Sequence, residues 1–210
     1  MEVWKLRNWN GKPYYSLDYY LKETFGQKVY KLALDGGQTC PSRDGTFASP
    51  LLPDSVWLPM APHSPCPDEL LDKIPEAVFR QIESAKVRVA GKLPEGKGKY
   101  IAYFQSYTNT YAPVSYLDRL FSAAVSHPDI AALSIGTRPD CLSDETIRLL
   151  SRLNKKKPVW IELGLQTIHE ETARFIRRGY PLECFLDTFS RLESAGLTVI
   201  VHVILGLPRE

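Results

Sequence analysis

"DIAALSIGTRPDCLSDETIRLLSRLNKKKPVWIELGLQT", residues 129–167, holds a strand, a helix and a second strand in that order. Ile130 to Ile135 is an apolar run of strand length. It does not alternate with polar residues, as expected of a strand buried on both faces. Ser143 then offers an N-cap, Asp144 and Glu145 fall in the first helical turn, and Lys155 to Lys157 close the helix. Charges placed this way oppose the helix dipole. Val159 to Leu165 is the next buried strand. A strand, a helix and a parallel strand make a βαβ unit, because a parallel neighbour needs a crossover of that length.

Outward from it the alternation repeats. Upstream, 69–92 has apolar residues at helical spacing (Val78, Ile82, Ala85, Val89), with Pro75 as an early interruption. "YIAYFQS" (100–106) reads as a strand and 115–127 as a helix. Downstream, 169–179 and 182–196 read as helices, each stopped by a glycine, and the β-branched 198–208 as a last strand. A short apolar run from Leu32, with a strand beginning near residue 30, makes five strands in all. Strands separated by helices define an α/β fold with a parallel sheet. Five units fit an open doubly wound sheet or part of a barrel. The chain stops at "GLPRE", after the fifth strand, so a truncated or open, incomplete barrel is expected.

Composition narrows the function only a little. The 210 residues are 44% hydrophobic and 24% charged, ordinary for a globular domain. A net charge of +2 does not indicate nucleic acid as a partner and does not exclude it. No apolar stretch reaches the roughly 18 residues of a membrane span, and the N-terminus lacks the pattern of a secretory signal. A cytoplasmic location without membrane partners is the expectation. Cys40, Cys66, Cys141 and Cys184 lie far apart, and no CxxC pair occurs. Free thiols or ligands are expected of them rather than a disulfide framework.

Polar and special residues sit where the strands end: Gly36 and Gly37, Gln105, Thr137 with Arg138, Gln166, Gly206. In parallel α/β folds that edge binds ligands. Cys40 follows the first strand and is a structural thiol or a ligand. Arg138 suits a carboxylate, a ribose or phosphate oxygen, or a surface ion pair. Glu162, Gly164 and Gln166 share one face of their strand and imply a polar lumen, since an unpartnered buried glutamate is costly. Arg177 and Arg178 match the dipole of a helix end, and His202 is either a hydrogen-bonded core histidine or a ligand. His63 has no partner at metal-ligand spacing.

"VYKLALDGGQTCPSRDGT", "YIAYFQSYTNTYAP", "IGTRPDCLSDE", "WIELGLQTIHEETARFIRRG" and "VILGLP" occur in this order over residues 25–46 and 75–210. They resemble an uncharacterised radical S-adenosylmethionine (SAM) family whose core is related to that of the Elongator catalytic subunit. The resemblance implies a partial (β/α)6 TIM-like barrel over 25–210, preceded by an N-terminal extension over 1–24. It implies a [4Fe-4S] cluster and SAM at the C-terminal ends of the strands. There, reductive cleavage of SAM to a 5′-deoxyadenosyl radical would act on an unknown substrate. Gln166, Arg178 and Arg138 match positions that contact SAM in the family. Gln105 matches the region holding the methionine amino group, and Cys40 the first cluster cysteine.

The remaining two cluster cysteines are expected around residues 52–55, which read "LPDS". Phe47 to Pro67 carries six prolines, and 47–73 as a whole does not resemble the family. Two of three cluster ligands are missing, which points to impaired radical chemistry. Two other readings stand beside it: a catalytically silent barrel that binds SAM or a nucleotide without a cluster, and an enzyme using Glu162 and His202 as acid and base.

Overall fold

The parity of the strands decides which side chains meet. The computed structural model describes residues 9–38, 40–41, 68–92, 98–208 and 210. Its strands β1 (Val29–Leu34), β2 (Lys99–Phe104), β3 (Ile130–Thr137), β4 (Val159–Gln166) and β5 (Thr198–Val203) form one sheet in chain order. All four pairings are parallel. The expected α/β class and parallel sheet are observed.

Helices α2 (Asp68–Val89), α3 (Val114–Ser126), α4 (Asp144–Asn154), α5 (Glu170–Phe175) and α6 (Leu182–Ser194) connect these strands. Ser143 caps α4 as its sequence suggests, accepting from the Thr146 amide at 3.2 Å. α2 continues through Pro75. β5 is shorter than the apolar run 198–208, and α5 ends at Phe175 rather than at Gly179. One face of the sheet packs on helices. Leu32, Phe104, Leu133, Ile135 and Ile161 pack with Val78 and Ile82 of α2, Leu117 and Phe121 of α3, Leu150 of α4 and Leu192 of α6.

The other face lines a lumen, and one ion pair crosses it. Strands are spaced about 4.8 Å apart, so a flat sheet would separate β1 from β4 by roughly 14 Å. Lys31 of β1 nevertheless reaches Glu162 of β4 at 2.5 Å. The sheet therefore bends into an open barrel wall. An extra residue in β3, where Tyr100 pairs Ile130 but Ile101 pairs Ala132, adds to the bend.

The lumen is built in layers. At its N-terminal end Val29, Ile101, Ala132 and Trp160 form an apolar floor. Helix α1 (Leu17–Phe25) plugs that floor with Tyr20, Leu21 and Phe25. Tyr20 and Phe25 set their rings 5.9 and 6.4 Å from that of Trp160. The extension expected over 1–24 thus contains a helix that packs on the barrel. "SLDYYLKETFG" carried its signals: Ser16 caps the first turn and Gly26 ends the helix at φ 68°. Outside the same rim, Lys86 bridges Glu83 (2.9 Å) and Asp129 (2.7 Å), and His127 joins Glu83 at 3.0 Å. Glu83, His127 and Asp129 are metal-ligand types, but the Lys86 ammonium already supplies the cation between the carboxylates. This cluster staples α2 to the start of β3.

Candidate functional site

At the C-terminal ends of the strands a cavity of about 400 Å³ opens into the lumen. Cys40, Gln105, Arg138 and Gln166 all line it, as do Glu162 and His202. Sequence parity explains the convergence. Gln105 follows Ile101 and Tyr103 on the inward face of β2, and Gln166 follows Glu162 and Gly164 on that of β4.

Local backbone features aim these side chains. Gln166 stands at φ 67°, in the left-handed region that non-glycine residues rarely occupy. The register with β5 jumps there, between Gly164 and Gln166. A Cβ on Gly164 would lie 2.8 Å from Gln166 Nε2, so this glycine makes room for the amide. Arg138 forks onto Asp140 through Nε (3.0 Å) and Nη2 (2.7 Å) and stacks 5.1 Å from the centre of the Tyr180 ring. Gly179, at φ 87°, passes close by, and a Cβ there would come within 3.1 Å of Arg138 Nη2.

Arg178 is not among the cavity residues. Its side chain is 1% exposed. It donates to the carbonyls of Tyr180 (2.9 Å), Leu165 (3.3 Å) and Thr167 (2.6 Å) and to Glu170 (2.9 Å). In this arrangement it ties the chain after β4 to the turn after α5, a role that helix-end charge did not suggest.

Glu162 anchors the middle of the lumen. Oε1 accepts from Lys31 and from Ser134 Oγ, each at 2.5 Å. Oε2 accepts from Tyr103 Oη at 2.8 Å and lies 2.9 Å from His202 Nε2. Burial pushes the carboxyl up, but the bonds from Lys31, Ser134 and Tyr103 outweigh it and hold the pKa below the ordinary carboxylate range. Burial and then the Glu162 bond push Tyr103 up to about 12. The face shared by Glu162, Gly164 and Gln166 is thus the polar lumen that their spacing implied. Glu162 and His202 do share one cavity within hydrogen-bond reach. A carboxylate held ionised with four donors around it is a poor proton acceptor, so Glu162 itself is not suited to the role of base. Sequence reasoning missed Lys31, Tyr103 and Ser134, although each lies on the inward parity of its strand.

The loop after β1 is ordered by side chains. Gln81 of α2 accepts from the Asp35 amide (2.9 Å) and donates to the Asp35 carbonyl (3.0 Å). Asp35 Oδ1 accepts from the Gly37 amide at 2.8 Å, and Tyr116 donates to the Gly36 carbonyl at 2.8 Å. Gln38, only 7% exposed, leaves both amide atoms without a partner among the described residues. Cys40 then reaches the cavity.

The thiols fit a cluster poorly. Among the described residues the free cysteines are Cys40, Cys141 and Cys184, and no convergent group of three ligand-type side chains includes Cys40. Burial, then Asp140, pushes the Cys141 thiol well above its ordinary range, with Cys40 contributing, so Cys141 stays protonated at neutral pH. Cys66, His63 and the "LPDS" stretch lie outside the described residues. Cys141 is expected to resist iodoacetamide at pH 8 in the folded chain and to react fully in urea, checked by peptide mass spectrometry. Equal labelling in both states would contradict this environment.

An α/β barrel wall with a ligand cavity at its strand ends is the class that fold and site define. Residues 67–210 match the Radical SAM superfamily, and the chain belongs to it. It is 39% identical over 206 residues to the uncharacterised protein YtqA of Bacillus subtilis, covering 95% of this chain and 59% of that protein. It is 38% identical over 191 residues to YhcC of Escherichia coli, covering 90% and 58%. The chain thus spans about three-fifths of these curated relatives. Among solved structures, the archaeal Elp3 of Methanocaldococcus infernus superposes with a TM-score of 0.53 at 19% identity, over 87% of this chain and 39% of that one, a likeness of fold. No helix among the described residues is long and apolar enough to cross a membrane.

Proposed function

We propose that this chain is a radical SAM barrel that retains a SAM-binding mouth but does not assemble a three-thiolate [4Fe-4S] cluster. The convergence of Gln105, Arg138 and Gln166 on one cavity that, among the described residues, holds a single loop thiol, Cys40, supports this reading. The mouth suits SAM: amides from Gln105 and Gln166 can meet its amino and carboxylate groups. The Arg138 guanidinium, forked onto Asp140, stands beside them. Gly164 keeps the approach open. Arg178 holds the loop from which Gln166 is presented.

The donor set does not fit the cluster. A [4Fe-4S] cluster is held by cysteine thiolates, and family members supply three from the loop after β1. Here Cys40 is alone among the described residues of that loop, and the matching stretch reads "LPDS". When bound in the family, cluster and SAM together supply a carbon radical. What this chain's residues do is bind, orient and shield a ligand.

Anaerobic reconstitution with iron and sulfide is expected to leave fewer than one iron per chain after desalting, with no broad visible absorption. About four irons per chain would overturn the cluster half of the proposal. Calorimetric titration of the untreated chain with SAM is expected to give a dissociation constant of about 10–100 μM. Arg138→Ala is expected to weaken it at least tenfold. Absence of heat with SAM would sink the binding half.

A further inference from the structure

The carboxylate of Glu162 has about four lone-pair positions, and four donor groups surround it: Lys31, Ser134, Tyr103 and His202. None is left for a ligand, so Glu162 positions its neighbours. Its ionised oxygen can only accept, which places the hydrogen of the His202 contact on Nε2. In a neutral imidazole the other nitrogen, Nδ1, is then an acceptor. That nitrogen has no hydrogen-bond partner among the described residues, and the side chain, 47% exposed, lines the cavity. Tyr103 is in the same condition. Its one proton goes to Glu162 Oε2, and its oxygen keeps a lone pair at the cavity wall.

The charges of Lys31 and Glu162 cancel. Lys31 lies against Glu162 and over the Tyr103 ring, 4.0 Å from its centre, so its ammonium is already spent. Below the mouth the lumen is therefore electrically balanced and rich in acceptors, and at the mouth Arg138 is paired in its turn with Asp140.

We propose that His202 Nδ1 and Tyr103 Oη, both set by Glu162, form the substrate-recognition pair of this cavity and take an uncharged N–H or O–H donor, such as a carboxamide or a ring imide. This deepens the reading of the cavity as a ligand site and rests on it. Glu162 is the positioning residue. An anion would meet two acceptors, and a cation would find no net negative charge.

The test uses the full chain labelled with ¹⁵N-histidine at neutral pH, with its histidine signals assigned by substitution. His202 is expected in the Nε2–H tautomer. Millimolar acetamide and succinimide, the carboxamide and imide probes, are expected to move its Nδ1 signal, whereas N,N-dimethylacetamide and N-methylsuccinimide leave it in place. Tyr103→Phe is expected to weaken the response at least threefold. Glu162→Gln, which places an amide where the acceptor was, is expected to abolish the tautomer preference. An Nδ1–H tautomer in the unsubstituted chain, an equal response to the N-methylated probes, or a response to phosphate alone would overturn the proposal. SAM titration of the parent chain separates the two readings. If the parent itself fails to bind SAM, the mouth reading fails while the histidine result still decides this one.

Discussion

Lys31→Met is expected to destabilise the fold by about 3 kcal/mol, because it leaves the Glu162 carboxylate in the lumen without its cation. Breaking a buried pair costs about 3–5 kcal/mol. The lower end applies here because Lys31 is 28% exposed and Glu162 keeps three other donors. For a domain with about 5–15 kcal/mol in total, that is a large share. The pH dependence should change with it. In the parent, the folded pKa of Glu162 is lowered, so its contribution is full above the ordinary carboxylate pKa and is lost as pH falls through the folded value. In Lys31→Met the same carboxyl is raised by burial, and the variant should gain stability relative to the parent as the solution is acidified. The double substitution Lys31→Met, Glu162→Gln should recover much of the loss. Urea midpoints at pH 7 and pH 5 check all of this. A Lys31→Met variant within 1 kcal/mol of the parent at both pH values would show that the pair is not what draws β1 toward β4.

The second large effect concerns the floor. Trp160→Ala is expected to cost about 4 kcal/mol, in the range of large-to-small changes at buried aromatics. Trp160 is 3% exposed and carries the packing of α1, through Tyr20 and Phe25, onto the barrel. With the indole gone, α1 loses its main partner, so residues 17–25 should become an early site of proteolysis under native conditions. Leu21→Ala, at 4% exposure, should act in the same direction at about 2–3 kcal/mol. Limited proteolysis with mass mapping distinguishes loss of the plug from general destabilisation. Unchanged cleavage before residue 26 in Trp160→Ala would refute the role of α1 as the barrel floor.

The sheet was legible in the sequence because parallel strands buried on both faces read as continuous apolar runs. Ile130 to Ile135 and Val159 to Leu165 left no alternative. The helix boundaries came from caps such as Ser143, whose chemistry is local. The mouth was legible in part. Gln105, Arg138 and Gln166 stand at strand ends, where topology brings them together whatever the details. The Glu162 network was half visible: the carboxylate announced a buried charge, but its partners sit on β1, β2, β3 and β5, and only the curl of the sheet unites them. Curl depends on register and on the β3 bulge, neither of which a hydrophobic period encodes. Arg178 misled for a related reason. A charge near a helix end normally serves solvent and dipole, and here four protein acceptors claim the guanidinium instead.

Strand order equal to chain order bears on how the molecule comes into being. Each new β/α unit docks on the strand made just before it, with no later segment having to thread between earlier ones. Such a sheet can be assembled in the direction of synthesis, one hydrogen-bonded neighbour at a time, as the chain leaves the ribosome. Lys31 emerges long before its counterion. Until Glu162 is delivered by β4, the nascent wall has no reason to close around that ammonium, so arrival of the fourth strand is the moment at which a growing ribbon becomes a vessel.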